Sequence, residues 1–157
     1  MSVDERSVGM SSSPQNKEKL MKRQLVHTAS PYEVSESFAR AVVVGDWVFV
    51  SNSTGYDYDT QLLPDTLEGQ TNGALDNVSR ALAAAGASLD DVVRRQVIIP
   101  HPEHTAEVMD IVAERFRGAS PTNTVLCSPL ADPRYLVEVE VVAYRGSGSA
   151  ETETIRI

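Results

Sequence analysis

The chain of 157 residues is 41% hydrophobic and 23% charged, a composition typical of a single globular domain. Its net charge is −8, but the first 25 residues are slightly basic, so the remainder holds nine arginines against nineteen acidic residues. Nucleic acids are bound by basic surfaces, and this balance therefore argues against DNA or RNA as a partner.

Features that the sequence lacks limit where the protein is expected to act and which cofactors it is expected to use. No run of about 20 apolar residues occurs, so no membrane span is expected. Cys127 is the only cysteine, which excludes an internal disulfide and suits the reducing cytoplasm. His101 and His104 are spaced as in some metal sites, but too few other ligands accompany them, and we expect neither a metal nor a cofactor.

The chain divides into three regions. Residues 1–20 are rich in Ser, Lys, Glu and Gln without an apolar period, which predicts a flexible N-terminal extension. Residues 21–145 are expected to form one domain. Residues 146–157 form a C-terminal tail that begins as a Gly/Ser linker and ends in an alternating segment, 154–157, suited to a short edge strand.

The first elements of the domain are a hairpin and a helix. The β-rich runs 40–44 and 47–51 are separated by Gly45-Asp46, which predicts a type II′ turn, and an extra strand fits residues 22–28. Asp65-Thr66-Leu67-Glu68 has the spacing of a capping box. Apolar residues then recur at helical spacing until Gly86, where the helix is expected to end.

The sequence of the second half of the domain predicts a strand, a helix and two further strands, in that order. Residues 92–99 form the first strand, and Thr105 is expected to cap a helix that ends near residue 117. Strands at 124–127 and 135–144 follow, joined by a proline-containing loop. With a hairpin at each end, this order predicts an α+β fold in which two helices cover one face of a mixed sheet.

The last strand has two chemically different faces. In residues 136–141 the valines alternate with Glu138 and Glu140, so the valines share one face and the carboxylates the other. The valine face is suited to packing under the helices. The carboxylate face needs water, a hydrogen-bond partner or another subunit, and a sheet with one uncovered face commonly pairs with a second copy.

Several segments together resemble the YjgF/RidA family, also called the Rid (reactive intermediate deaminase) family, over residues 22–144. They are Val44-Gly45-Asp46-Trp47-Val48-Phe49-Val50-Ser51, Gln70-Thr71, Ala74-Leu75-Asp76-Asn77, residues 84–93, Ser120-Pro121-Thr122-Asn123-Thr124 and residues 136–140. The resemblance implies a chorismate-mutase-like α+β fold and a homotrimer in which sheets pack into a central barrel with clefts between subunits. A ribonuclease activity has also been attached to the family, but the acidic domain gives it no electrostatic support.

The resemblance also implies a site. Well-studied members hydrolyse 2-imino or enamino acids to 2-oxo acids and ammonia, with an arginine gripping the carboxylate and a glutamate positioning water. The glutamate corresponds to Glu138, the catalytic candidate, but the arginine position holds Asn123. Because an amide cannot replace the cation, we expect weak hydrolysis of the usual imino acids and a better fit for neutral or cationic ligands. Arg40 and Arg134 are the two candidates to supply a cation in place of the missing arginine.

The remaining substrate-binding candidates follow from the same comparison. Phe38 stands at the position of a cleft tyrosine, Ser51-Asn52 at that of a Ser-Gly pair, Met109 at that of a helix asparagine, and Val125 lies two residues after Asn123. Glu140 is interpreted as structural and Cys127 as an inert small hydrophobe. Two functions stay open: a hydrolase of the deaminase type acting on an enamine or imine, and a non-catalytic small-molecule-binding or scaffolding trimer.

Overall fold

A computed structural model describes residues 22–157, so the extension predicted for residues 1–20 lies outside the described part of the chain. The described residues form six strands and three α-helices. The strands are β1 (Arg23–Val26), β2 (Ala41–Val44), β3 (Trp47–Ser53), β4 (Val92–Ile98), β5 (Thr122–Leu126) and β6 (Glu138–Tyr144), and the helices are α1 (Pro31–Ser35), α2 (Leu67–Ala84) and α3 (Thr105–Arg115).

The strands form one mixed sheet in the order β1-β2-β3-β6-β4-β5. Only the β4/β5 pair is parallel; the other neighbours are antiparallel. The predicted α+β class is therefore confirmed. The predicted first hairpin is present as well: Val44 pairs with Trp47, and Gly45 has a φ of +60°, as the first position of a type II′ turn requires.

The predicted C-terminal hairpin is wrong. β5 does not pair with β6; it lies at the sheet edge beside β4, and β6 is inserted between β3 and β4. The reason is the crossover through α3, which returns the chain parallel to β4, as helix crossovers do. The loop after β5 then carries the chain past β4 to the centre of the sheet.

Both predicted helix caps are displaced by a residue. Thr66, not Asp65, caps α2, because the Thr66 Oγ1 accepts a 3.0 Å hydrogen bond from the Gly69 amide. Because Gly69 has no side chain, it cannot accept the reciprocal hydrogen bond from the Thr66 amide, so the motif is a single cap and not a capping box. Thr105 is the first residue of α3 and follows a 3₁₀ turn (Pro102–His104), and so it does not act as the cap.

The core lies between α2, α3 and one face of the sheet. Alternate residues of β6 and its lead-in point into it: Val137, Val139 and Val141 are at most 1% exposed. They pack with the apolar stripes of both helices, which include Leu75, Leu82, Val108 and Val112. Among residues 22–157, no helix is long and apolar enough to cross a bilayer.

The opposite face of the sheet is uncovered and carries exposed hydrophobic side chains as well as the Arg94–Glu140 ion pair. Paired residues share a face, and the pairs Trp47–Tyr144 and Phe49–Val142 put these side chains opposite the helices. Five large hydrophobic side chains on this open face are 38–51% exposed: Leu25, Trp47, Phe49, Leu126 and Tyr144. Trp47 contacts Tyr144 edge to face, with ring centroids 5.0 Å apart.

The C-terminal tail is docked at its start and irregular at its end. The expected edge strand at 154–157 is absent, since these residues have no regular structure. The Gly/Ser segment instead forms a 3₁₀ turn, Ser147–Ser149. The Ser147 hydroxyl donates to the Asp91 carbonyl and the Gly148 amide to the Asp91 carboxylate, both at 3.0 Å.

Candidate functional site

Glu138 begins β6 and lies in a surface pocket of about 360 Å³. Residues brought together around it include Phe38, Arg40, Asn52, Tyr58 and Tyr135. Burial raises the pKa of Glu138, and the nearby charge of Arg40 opposes this only in part. A half-buried carboxyl of raised pKa is suited to accepting and returning a proton.

Arg40 lines this pocket, but its guanidinium group already contacts other protein groups. Its side chain is 6% exposed, its Nη1 donates to the Asn52 carbonyl at 2.8 Å, and its Nε is 3.5 Å from Glu33 Oε1. Although burial of Glu33 works against its ionisation, hydrogen bonds from Thr28 and His27 together with Arg40 hold its pKa below the usual value. Arg40 therefore has a buried carboxylate of its own and is fixed in place.

Arg134 is also engaged, and on the surface. Its Nε and Nη2 form a two-pronged contact with the Asp132 carboxylate, at 3.1 and 2.7 Å, and lower the pKa of Asp132 to about 2. Asp132 lines the Glu138 pocket, whereas Arg134 does not. Neither arginine considered from the sequence is thus a free cation beside Glu138.

Asn52 presents an unused polar atom to the pocket. Its Oδ1 is buried and has no hydrogen-bond partner among the residues that the structure describes. A buried acceptor without a donor is costly, and such an atom in a pocket is suited to an N–H or O–H group of a ligand or water. Ser51, by contrast, does not line the pocket, and its hydroxyl donates a 2.8 Å hydrogen bond to the Ala39 carbonyl.

Gln70 on α2 fixes the approach to Glu138. Its side-chain Nε2 donates to the carbonyls of Pro64 and Arg134 at 3.0 and 2.9 Å, and its Oε1 accepts from the Leu136 amide at 2.8 Å. Gln70 is 2% exposed. The sequence offers it only as part of the family resemblance; its role in joining three segments appears only once their positions are known.

The other candidate residues lie on a different part of the chain. Asn123 and Val125 are on the edge strand β5, and Val125 and Met109 of α3 pack partly buried against the core. Asn123 pairs with Arg95, which pairs with Val141, so these side chains lie on the helix-covered face. Glu138 lies on the open face, and within one chain Asn123, Val125 and Met109 do not join its pocket.

Arg95 is a residue of this second group that sequence reasoning missed. Its Nε donates to Asn123 Oδ1 at 2.9 Å, and its guanidinium carbon lies 4.8 Å from the centroid of the Phe116 ring. Burial lowers the pKa of Arg95. The only signal that connects Arg95 with Asn123 is the β4/β5 register, which the sequence does not reveal.

These features define a class: a small α+β domain with one helix-covered face, one open face and a glutamate pocket beside the central strand. The chain belongs to the Endoribonuclease L-PSP family, which includes the YjgF/Rid proteins, and the family's sequence profile matches residues 28–145. The predicted family is thereby confirmed.

Individual relatives agree with this assignment. An uncharacterized protein of Streptomyces coelicolor is 35% identical over 123 residues, covering 78% of this chain and 92% of that protein. A solved structure from Mycobacterium tuberculosis, of the YjgF/YER057c/UK114 family, matches with TM-score 0.72 at 32% identity, covering 78% of this chain and 99% of that chain. A 2-iminobutanoate/2-iminopropanoate deaminase of Bos taurus is 25% identical over 125 residues, covering 79% of this chain and 91% of that protein.

Proposed function

We propose that the chain forms a homotrimer that binds a small metabolite in a cleft between subunits and hydrolyses an enamine or imine, with Glu138 positioning the water. The observation that carries the proposal is the pocket itself, in which a half-buried carboxyl of raised pKa and Asn52, whose Oδ1 is unpaired, line the same space. The bovine relative named as an iminobutanoate deaminase supports the same chemistry. Such a trimer is expected to act in the cytoplasm without metal, cofactor or nucleic acid.

The hydrolysis uses groups that the pocket holds. Glu138, as carboxylate, takes a proton from water while the water oxygen bonds to the C=N carbon, and it passes this proton to the nitrogen to give a carbinolamine. The carboxylate then takes the hydroxyl proton of the carbinolamine and passes it to the nitrogen as the C–N bond breaks, so that ammonia leaves and the carbonyl forms. Overall an imine and one water give a carbonyl compound and ammonia; an enamine first takes a proton on carbon to become the imine.

Assembly is supported by the open face of the sheet. Trp47, Phe49 and Tyr144 form an exposed aromatic cluster on this face, and such a cluster marks an interaction surface. The two groups of candidate residues lie on opposite faces of one sheet, so a site that uses both needs a second copy. Three copies arranged around the open face would bring the Glu138 pocket of one beside the β5 edge of the next.

The assembly is tested by light scattering and sedimentation at micromolar concentration. Wild type should sediment as three chains, and Phe49→Glu, which puts a charge into the open face, should shift it to the monomer. Ile155→Glu is the matched control, because Ile155 is 79% exposed in the irregular tail. A wild-type monomer, or an unchanged trimer in Phe49→Glu, would contradict the proposal.

Catalysis is tested with imines generated in situ and followed by their decay. At matched trimer concentration, wild type should exceed the spontaneous rate, Glu138→Gln should not, and Glu107→Gln, exposed on α3, should match wild type. Equal rates for wild type and Glu138→Gln would remove Glu138 from the mechanism.

The second candidate is a non-catalytic binding or scaffolding trimer. Its specific support is that Asn123 is uncharged and that Arg40 and Arg134 are both held by carboxylates. This reading expects saturable binding of small metabolites without acceleration of imine decay in any variant. The same trimer preparations distinguish the two functions.

A further inference from the structure

Within one chain, the Glu138 pocket carries more negative than positive charge. Three carboxylates line it: those of Glu36, Asp132 and Glu138. Arg40 is the one basic residue of this lining in the described part of the chain, and a buried carboxylate outside the lining already neutralises it. Asp132 is likewise paired with an arginine outside the lining. Glu36 and Glu138, however, have no basic group within 4.0 Å among residues 22–157.

Aromatic side chains form much of the pocket wall. Four of them line it: Tyr32, Phe38, Tyr58 and Tyr135. The Arg40 guanidinium carbon lies 5.9 Å from the centroid of the Phe38 ring and 5.7 Å from that of Tyr58, so two of these rings already contact a cation. The half-buried Tyr135 and the exposed Tyr32 contact no cation of the described residues. Aromatic rings grouped in this way are suited to binding an organic ammonium ion.

Two polar atoms of the same lining are buried without a partner. The Ser30 hydroxyl oxygen and Asn52 Oδ1 form no hydrogen bond with any residue in the range 22–157, and Ser30 is only 3% exposed. A hydroxyl can donate or accept, but an amide oxygen and an ionised carboxylate can only accept. Asn52 Oδ1 and the Glu138 carboxylate are therefore suited to a ligand that donates N–H groups.

We propose that this pocket selects a substrate that is a cation and carries no carboxylate, namely the protonated imine that results from oxidation of a primary alkylamine. The inference rests on the proposed imine hydrolysis and names its class of substrate. The iminium N–H groups donate to Glu138 and Asn52 Oδ1, and the alkyl chain packs against the aromatic wall. Hydrolysis then converts the protonated imine and one water into an aldehyde and an ammonium ion.

The first experiment is equilibrium binding to the full chain, without turnover. Butylamine, a cation at neutral pH, is titrated calorimetrically beside neutral butan-1-ol and anionic butanoate, and wild type should bind butylamine most tightly. Glu138→Gln should lose about tenfold or more in butylamine affinity, because the half-buried carboxylate pairs with the cation. Glu36→Gln, at an exposed position, should lose up to about fivefold. Glu107→Gln on α3 is the matched control and should bind as wild type does.

Two substitutions at Tyr135 test the aromatic wall. Tyr135→Phe keeps the ring and should retain butylamine affinity within about twofold, whereas Tyr135→Leu should lose about threefold or more. Butan-1-ol, which has no charge, should distinguish the two variants less. Equal butylamine affinity of the Phe and Leu variants would overturn the assigned role of the ring.

Turnover separates the class of substrate from catalysis itself. Imines are generated in situ by oxidation of butylamine or of 2-aminobutanoate, and the imine from butylamine should be hydrolysed faster. The proposal is overturned if the imine from the amino acid is the better substrate, if butanoate binds more tightly than butylamine, or if Glu138→Gln leaves butylamine affinity unchanged. Butylamine binding that depends on Glu138 and Tyr135, without hydrolysis of either imine, would instead refute only the proposed catalysis.

Discussion

Replacing Gln70 with leucine tests how Glu138 is held in place. The substitution keeps a similar volume but deletes both amide groups, so the Leu136 N–H and the Pro64 and Arg134 carbonyls lose their partners. Each unpaired buried group costs about 1–3 kcal/mol. Because the two carbonyls belong to surface segments that water can reach, we expect a total loss of about 3–5 kcal/mol.

A second substitution divides this total. Gln70→Glu retains an oxygen that accepts from the Leu136 amide but has no donor for the two carbonyls. It should therefore lose about 2–3 kcal/mol, less than Gln70→Leu. In both variants the start of β6 is loosened, so the rate of any reaction that depends on Glu138 should fall with kcat affected more than KM.

The assay is urea unfolding followed by circular dichroism at one fixed protein concentration, because the stability of the proposed trimer would depend on concentration. Asn72→Ala is the matched control on the same helix, because the exposed Asn72 amide donates only to the Glu68 carbonyl one turn away. Its effect should stay within about 0.5 kcal/mol. A Gln70→Leu protein within about 1 kcal/mol of wild type would refute the assigned role.

Three further predictions follow from single contacts and charges. Thr66→Ala removes the α2 cap and should cost about 1 kcal/mol in urea unfolding, whereas Thr154→Ala in the tail should cost nothing measurable. Because burial raises the pKa of Glu138, wild type should lose stability relative to Glu138→Gln as the pH rises above 4.5 and the buried group ionises; a pH-independent difference would contradict this. RNA binding at physiological salt should be negligible in titrations of protein lacking residues 1–20, and tight, salt-sensitive binding would contradict the electrostatic argument.

Features encoded by neighbouring residues were predictable from the sequence. The Gly45-Asp46 turn specifies the β2/β3 hairpin, the apolar spacing specifies α2, and alternation around Glu138 specifies which residues of β6 face the core. Each depends on periodicity or turn chemistry within about ten residues of chain. Helix starts were displaced because several polar residues near each terminus are competent caps.

Features that depend on pairing between distant segments were not predictable. Adjacency in sequence favoured a β5/β6 hairpin, and only the observed strand order shows β5 beside β4. The same pairing brings Arg95 to Asn123, and three separate chain segments must meet before Gln70 has its partners. The family resemblance located Glu138, Phe38 and Asn52, whose pocket forms around one strand end, but it carried no information on residues peculiar to this chain.

The position of β6 in the sheet has a consequence for folding during synthesis. β6 is the last strand to leave the ribosome, yet β3 and β4 are joined only through it. Until residues 138–144 emerge, the nascent chain holds two sheet fragments, each with an unpaired edge, and such edges are sites of aberrant association. Closing the sheet is thus postponed to the end of translation, and a chain that stops before Glu138 has both fragments but no strand to join them.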